Sequence, residues 1–133
     1  MVIELIRADV TSLKIDAIVN PRPTGGDVGT ATVSSGGNVL CKFVINMIVP
    51  GPGEADEERK LRDAIWAALH RAEELAVASV AFPAIAGATM RVVLRAALDF
   101  RAHARSLQRV VFCAFSEETY AKFGRALEEL DHS

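Results

Sequence analysis

The sequence predicts an α/β domain built on a mostly parallel sheet with helices on both faces. Three observations predict it. The second half of the chain alternates helix, strand, helix, strand and helix, the order that lays parallel strands beneath covering helices. The run Asp16-Ala17-Ile18-Val19-Asn20 is apolar at successive positions, as a strand buried on both faces is. Residues 54–76 carry Leu61, Ile65, Leu69, Ala72 and Ala76 at three- and four-residue steps, the stripe of an amphipathic helix.

The first strand lies in residues 2–8, where Ile3 and Leu5 alternate with Glu4. Asp9-Val10-Thr11 turns the chain into the second strand, residues 16–20. Residues 21–27 read as a loop, because two prolines and two glycines interrupt both helix and sheet. Residues 30–33 suit a short strand, although the stretch 29–38 also reads as a loop, with a turn at 34–38. An apolar strand occupies residues 40–49 and stops at Pro50-Gly51-Pro52-Gly53.

The long helix that follows is acidic at its start, with Glu54, Asp56, Glu57 and Glu58 near the positive end of the helix dipole. Residues 79–83 form the next strand, 84–90 a loop and 91–103 a second helix. The last strand spans 108–115. Ser116 caps a final helix whose first turn holds Glu117 and Glu118 and whose buried face comprises Tyr120, Phe123, Leu127 and Leu130. Residues 1–133 are expected to form one domain, with no linker or repeat.

Half of the 133 residues are apolar, enough for a real core without disulfides or a structural metal. A net charge of -2 provides no field for nucleic acid, which requires many basic side chains against phosphates. No stretch reaches the roughly 18 apolar residues of a membrane span, and the start shows no basic-then-apolar leader, so a cytoplasmic location is expected. Cys41 and Cys113 sit in apolar, strand-like runs and read as free core thiols. No metal or cofactor is expected: neither cysteine clusters with histidine, and His70, His103 and His132 show no nucleophile spacing.

Ordered motifs add to this reading. Ala8-Asp9-Val10-Thr11 and then Asp16-Ala17-Ile18-Val19-Asn20 open the chain. Residues 41–50 lead to the long helix, Ser79-Val80-Ala81-Phe82-Pro83-Ala84-Ile85 follows it, and residues 110–120 join the last strand to the last helix. Together they resemble the macrodomain family, the ADP-ribose-binding fold. The resemblance implies a three-layer α/β/α domain with a mixed, mostly parallel sheet. It places the ligand cleft at the carboxyl ends of the central strands, in line with the general rule for open α/β sheets.

The resemblance also implies roles. Asp9 matches the acceptor for the adenine amino group, and Val10 the residue giving backbone contacts. The alternative for Asp9 is a turn former bonded to its own backbone. Phe115 matches an aromatic that lies on the adenine face, with a core phenylalanine as the competing reading. Ala86, Gly87 and Ala88 occupy the diphosphate loop, where backbone N–H groups hold phosphate. Arg91 is either a phosphate partner or a solvated helix-start residue. Asn20 and the shortened glycine run Gly25-Gly26 match the distal ribose region.

Here the chain departs from the pattern. The asparagine that serves the distal ribose, and catalysis in hydrolytic members, falls on Pro23, which has neither a polar side chain nor an N–H. The helix expected before Cys41 is missing. The expectation is therefore a binding module for ADP-ribose or a related adenine nucleotide, weak or altered, with no catalytic residue. One alternative is a relict that works as an interaction or assembly element, including as a homodimer. A hydrolase of ADP-ribosyl bonds or O-acetyl-ADP-ribose, using Asp27 or Asn20, ranks last.

Overall fold

A computed structural model describes residues 1–36, 41–84 and 90–131. The strands are β1 (Val2–Ile6), β2 (Ala17–Arg22), β3 (Ala31–Ser35), β4 (Phe43–Ile48), β5 (Ser79–Pro83) and β6 (Arg109–Cys113). They form one sheet in the order β1-β6-β5-β2-β4-β3. Every pairing is parallel except β3 with β4, so the sheet is mixed and mostly parallel as expected. The alternative of a loop at 29–38 gives way to a strand at Ala31–Ser35.

The helices are α1 (Glu57–Glu74), α2 (Met90–Phe100) and α3 (Glu117–Asp131), and single 3-10 turns occupy Val10–Ser12 and Arg101–His103. α1 buries Leu61, Ala64, Ile65, Ala68, Leu69 and Ala72, the expected stripe. Ala76 lies outside that stripe: it is exposed and left-handed (φ 55°), closing the helix rather than packing beneath it. The helix also starts later than residue 54, because Asp56 adopts a left-handed conformation (φ 57°) that interrupts the first turn. In α3, Phe123 and Ala126 are buried but Tyr120 is 39% exposed. Phe123, Leu127 and Leu130 of the expected stripe pack into the core, and Tyr120 does not join it.

β2 runs two residues further than the loop expected at residue 21. Pro21 pairs with Met47 and Arg22 with Ile48. Proline is tolerated there because the β2–β5 pairing ends at Ile18, leaving that side of the strand without a ladder partner.

All three helices lie over one face of the sheet, so where helices were expected on both faces the other face carries, among the described residues, only the first 3-10 turn and its flanks as its covering layer. Ala17, Val19, Ile45, Met47, Val80 and Phe82 of the helix-covered face share a single core with the helices. Opposite, a thin second layer packs Ile15 and the flanks of the first 3-10 turn against Ile18, Ala81, Val111 and Cys113. Toward β4 and β3 this face becomes polar: Asn20 Nδ2 donates to Asn46 Oδ1 at 3.4 Å, and Asn46 Nδ2 to Ser34 Oγ at 3.3 Å. Where a helix between β2 and β4 was expected to be lost, the described residues of this face carry hydrogen-bonded amides.

Two carboxylates tie the frame together at the end of the sheet where the parallel strands begin. Asp16 Oδ2 accepts the backbone N–H groups of Ala78 and Ser79, fixing β2 to β5. Its backbone N–H donates to Ser79 Oγ and its carbonyl accepts from Lys42 N, which adds the start of β4. Glu73 accepts the N–H groups of Arg105, Ser106 and Leu107, each at 2.9 Å, and so holds the entry to β6 against α1. Burial alone would raise the Glu73 pKa, but these bonds, with one from the Ser106 hydroxyl, outweigh it and hold the carboxyl below its ordinary value.

Candidate functional site

Parallel strands β1, β6, β5, β2 and β4 all end along the same edge of the sheet, and two adjoining hollows open there. The first, about 280 Å³, is lined by Ala8, Asp9 and Val10 after β1, Pro83 and Ala84 at the end of β5, and Cys113 and Phe115 at the end of β6. The second, about 430 Å³, lies over the ends of β2 and β4 and the first turns of α1. Pro83 and Ala84 line both, so the two hollows meet at the end of β5.

Asp9 caps the 3-10 turn: its Oδ1 accepts Thr11 N at 2.9 Å and Thr11 Oγ1 at 2.8 Å. These bonds, the backbone one first, hold its carboxyl below the ordinary value. The turn-former reading of Asp9 therefore describes what the residue does, while the same exposed carboxylate also lines the first hollow. Both bonds use Oδ1. The two roles expected of Asp9 are compatible in one side chain.

The core alternative for Phe115 fails. Its neighbour Phe112 is 2% exposed and stacks on Phe82, whereas Phe115 is 77% exposed. The strand ends at Cys113, and the Phe115 ring stands free at the mouth of the hollow. A large bare ring beside a concavity costs solvation and contributes nothing to the core.

Cys113 also lines this hollow, a position that the sequence reading assigned to the core. Burial first, and then the nearby Asp9 charge, push its thiol up to about 11. It is therefore held as a neutral thiol near pH 7. Its spacing of two from Phe115 at a strand end was the signal available in the sequence.

Asp9, Val10 and Phe115 come together in the first hollow. Asn20 does not line either hollow; its amide belongs to the Asn46 and Ser34 ladder on the open sheet face. Gly25 and Gly26 lie outside both linings as well. Gly25 has φ 103°, and a Cβ at Gly26 would sit 3.2 Å from Ile48, so backbone geometry accounts for these glycines. Ala86, Gly87 and Ala88 lie outside the described residues. Arg91 pairs with Glu129 of α3 and lines a separate groove with Arg59 and Arg62. Asp27 uses its carbonyl to accept from Thr30 and lines neither hollow.

His70 and His103 pack edge-on against Trp66, whose Nε1 donates to Ala96 O at 2.9 Å. Among the described residues, no three His, Cys, Asp or Glu side chains are grouped to hold a metal ion. Among the same residues, no helix is long and apolar enough to cross a membrane.

Comparison with known proteins agrees with this architecture. The Macro domain family model matches residues 19–101. A macro domain-containing protein of Caldanaerobacter subterraneus subsp. tengcongensis is 31% identical over 124 residues, covering 86% of this chain and 70% of its own. An uncharacterised protein of Pyrobaculum aerophilum is 31% identical over 159 residues, covering 90% and 87%. That alignment is longer than the 133-residue chain itself, so the relative carries segments with no counterpart here. Among solved structures, the Oceanobacillus iheyensis macrodomain with ADP superimposes with a TM-score of 0.88 at 18% identity, covering 98% of this chain and 92% of its own. The Trypanosoma brucei macrodomain in complex with ADP gives 0.78 at 22%, covering 94% and 68%. The chain belongs to the Macro domain family.

Proposed function

We propose that this single domain binds adenine nucleotides of the ADP-ribose class through the hollow between Asp9 and Phe115, and that it does not hydrolyse them. The observation that carries the reading is the pairing of an exposed, ionised carboxylate with a bare aromatic ring across one concavity at the carboxyl edge of the sheet. A carboxylate oxygen takes a charge-assisted bond from an exocyclic amine, and the ring offers a face for a purine. The complexes of the Oceanobacillus iheyensis and Trypanosoma brucei macrodomains with ADP, in the same fold, support this choice of ligand.

The absence of hydrolysis rests on Pro23. It stands where the family resemblance calls for the catalytic asparagine, it lines the larger hollow, and it has no group to position a water. With Asn20 turned into the sheet-face ladder, ribose-side recognition is weakened and altered binding is expected. Calorimetric titration with ADP-ribose tests the reading. Binding heat in the micromolar-to-millimolar range supports it, and no heat and no thermal shift at millimolar ligand refutes it. Release of ADP-ribose from a modified protein would refute the non-hydrolytic part alone.

A further inference from the structure

The sheet ends at β3, which pairs with β4 alone among the described strands. The antiparallel register fixes which of its backbone groups face outward. Ile48 N donates to Thr30 O at 2.9 Å and Gly36 N to Lys42 O at 3.1 Å, so the even-numbered residues bond to β4. Alternation along the ladder then turns the N–H and C=O groups of Ala31, Val33 and Ser35 away from β4. Edge strands are commonly guarded by charge, proline or a bulge. Ala31-Thr32-Val33-Ser34-Ser35 has none of these. Thr32 to Ser35 are exposed, Val33 by 38%. Ala31 O accepts Arg71 Nε at 2.9 Å and keeps a second lone pair.

Beside this edge a groove follows the gap between β3 and α1. One part, about 450 Å³, is lined by Thr32, Val33, Arg71, Glu74 and Leu75, and the next, about 280 Å³, shares Arg71 and Glu74. These two opposite charges bond to each other at 2.8 Å within one chain. We propose that a second copy of the chain occupies this edge, with β3 pairing antiparallel to its counterpart about a two-fold axis at Val33. In that register Val33 exchanges both bonds with the other Val33, and Ala31 meets Ser35. Thr32 faces Ser34 across the polar face, a pairing that suits two hydroxyls. α1 packs over both β3 and β4, so the α1 helices of the two copies lie two strand spacings apart, about 10 Å. Helices pack at that distance. The axis at Val33 also runs beside Arg71 and Glu74, so each reaches the opposite charge of the other copy, the reciprocal contact of an isologous interface. Val33 and half-buried Leu75 supply its apolar part. β3 is the strand farthest from β1, so this interface is separate from the Asp9–Phe115 hollow and does not depend on a nucleotide.

Light scattering after size exclusion, from micromolar to millimolar protein, tests it. The expected result is a concentration-dependent rise from the monomer mass to twice that mass. Val33→Pro removes an outward N–H that β4 does not use, at an edge position where proline is tolerated. Val33→Lys keeps the backbone and sets like charges against each other at the axis. Both variants keep the parent's circular dichroism spectrum and stay monomeric at concentrations where the parent is dimeric. Glu74→Arg and Arg71→Glu each weaken the dimer, and mixing the two variants restores it, because every contact across the axis then joins opposite charges. A purely structural role for either residue gives no rescue on mixing. A parent that stays monomeric at millimolar concentration overturns the proposal, and so does a dimer that persists in both Val33 variants. Failure of the mixed charge variants to dimerise overturns the register about Val33.

Discussion

Replacing Phe115 by alanine separates a ligand platform from a core residue, and the neighbouring Phe112 provides the control within one strand end. Phe112 is 2% exposed and stacks on Phe82 at 5.2 Å and Phe123 at 6.2 Å between ring centroids. Its truncation leaves a cavity and costs about 3–5 kcal/mol. Phe115, at 77% exposure, has almost no buried contact to lose, so Phe115→Ala changes stability by no more than about 0.5 kcal/mol. Stacking of a base on an aromatic ring is worth about 1–3 kcal/mol by alanine substitution, which is roughly a 5- to 150-fold loss in affinity. Urea unfolding of both variants and calorimetric titration of Phe115→Ala with ADP measure the two quantities on the same proteins. A Phe115→Ala variant as unstable as Phe112→Ala, or one that binds ADP as the parent does, refutes the reasoning.

Asp9→Asn keeps a carbonyl oxygen to cap the turn but removes the charge. ADP binding weakens severalfold by calorimetry, and the Cys113 thiol pKa falls from about 11, because the Asp9 carboxylate helps to raise it; the pH dependence of thiol alkylation reads that shift. In the parent protein Cys41, partly exposed, reacts with iodoacetamide before the buried Cys113. Glu73→Ala strands the backbone N–H of Leu107, itself 2% exposed, and costs about 2–3 kcal/mol in urea unfolding near pH 7. The Glu73 carboxyl is held below its unfolded value, so its stabilisation is fully present above the ordinary glutamate pKa and is lost as pH falls through the lower folded one. Glu73→Gln accordingly flattens the acid limb of the stability profile.

The sheet and the helices were readable because their signals are local. The stripe Leu61, Ile65, Leu69 and Ala72 and the alternation of helix with strand in the second half need only periodicity. The errors fall where tertiary context decides. Pro21 enters a strand because β2 has lost its β5 neighbour at that point, and Tyr120 stays outside the core that takes Phe123, Leu127 and Leu130 of the same stripe. No reading along the chain reveals either.

The site divides the same way. Asp9 and Phe115 belong to motifs next to strand ends, so the sequence could nominate them, but it could not decide whether Phe115 was inside or outside. Asn20 carried the motif and still turns its amide toward Asn46, since β2 and β4 are paired there residue by residue. The larger hollow was invisible in the sequence. The prolines in its lining are up to 62 positions apart, from Pro21 to Pro83, and meet only through the order in which the strands are laid down.

The central claim is that one concavity at the carboxyl edge of the sheet receives an adenine ring between Asp9 and Phe115. A crystal structure of the protein grown with saturating ADP tests it most directly. The expected result is density for the base against the Phe115 ring, with its exocyclic amine within hydrogen-bond distance of Asp9 Oδ2. An empty hollow at full ADP saturation, or a nucleotide bound on another surface, would contradict the account.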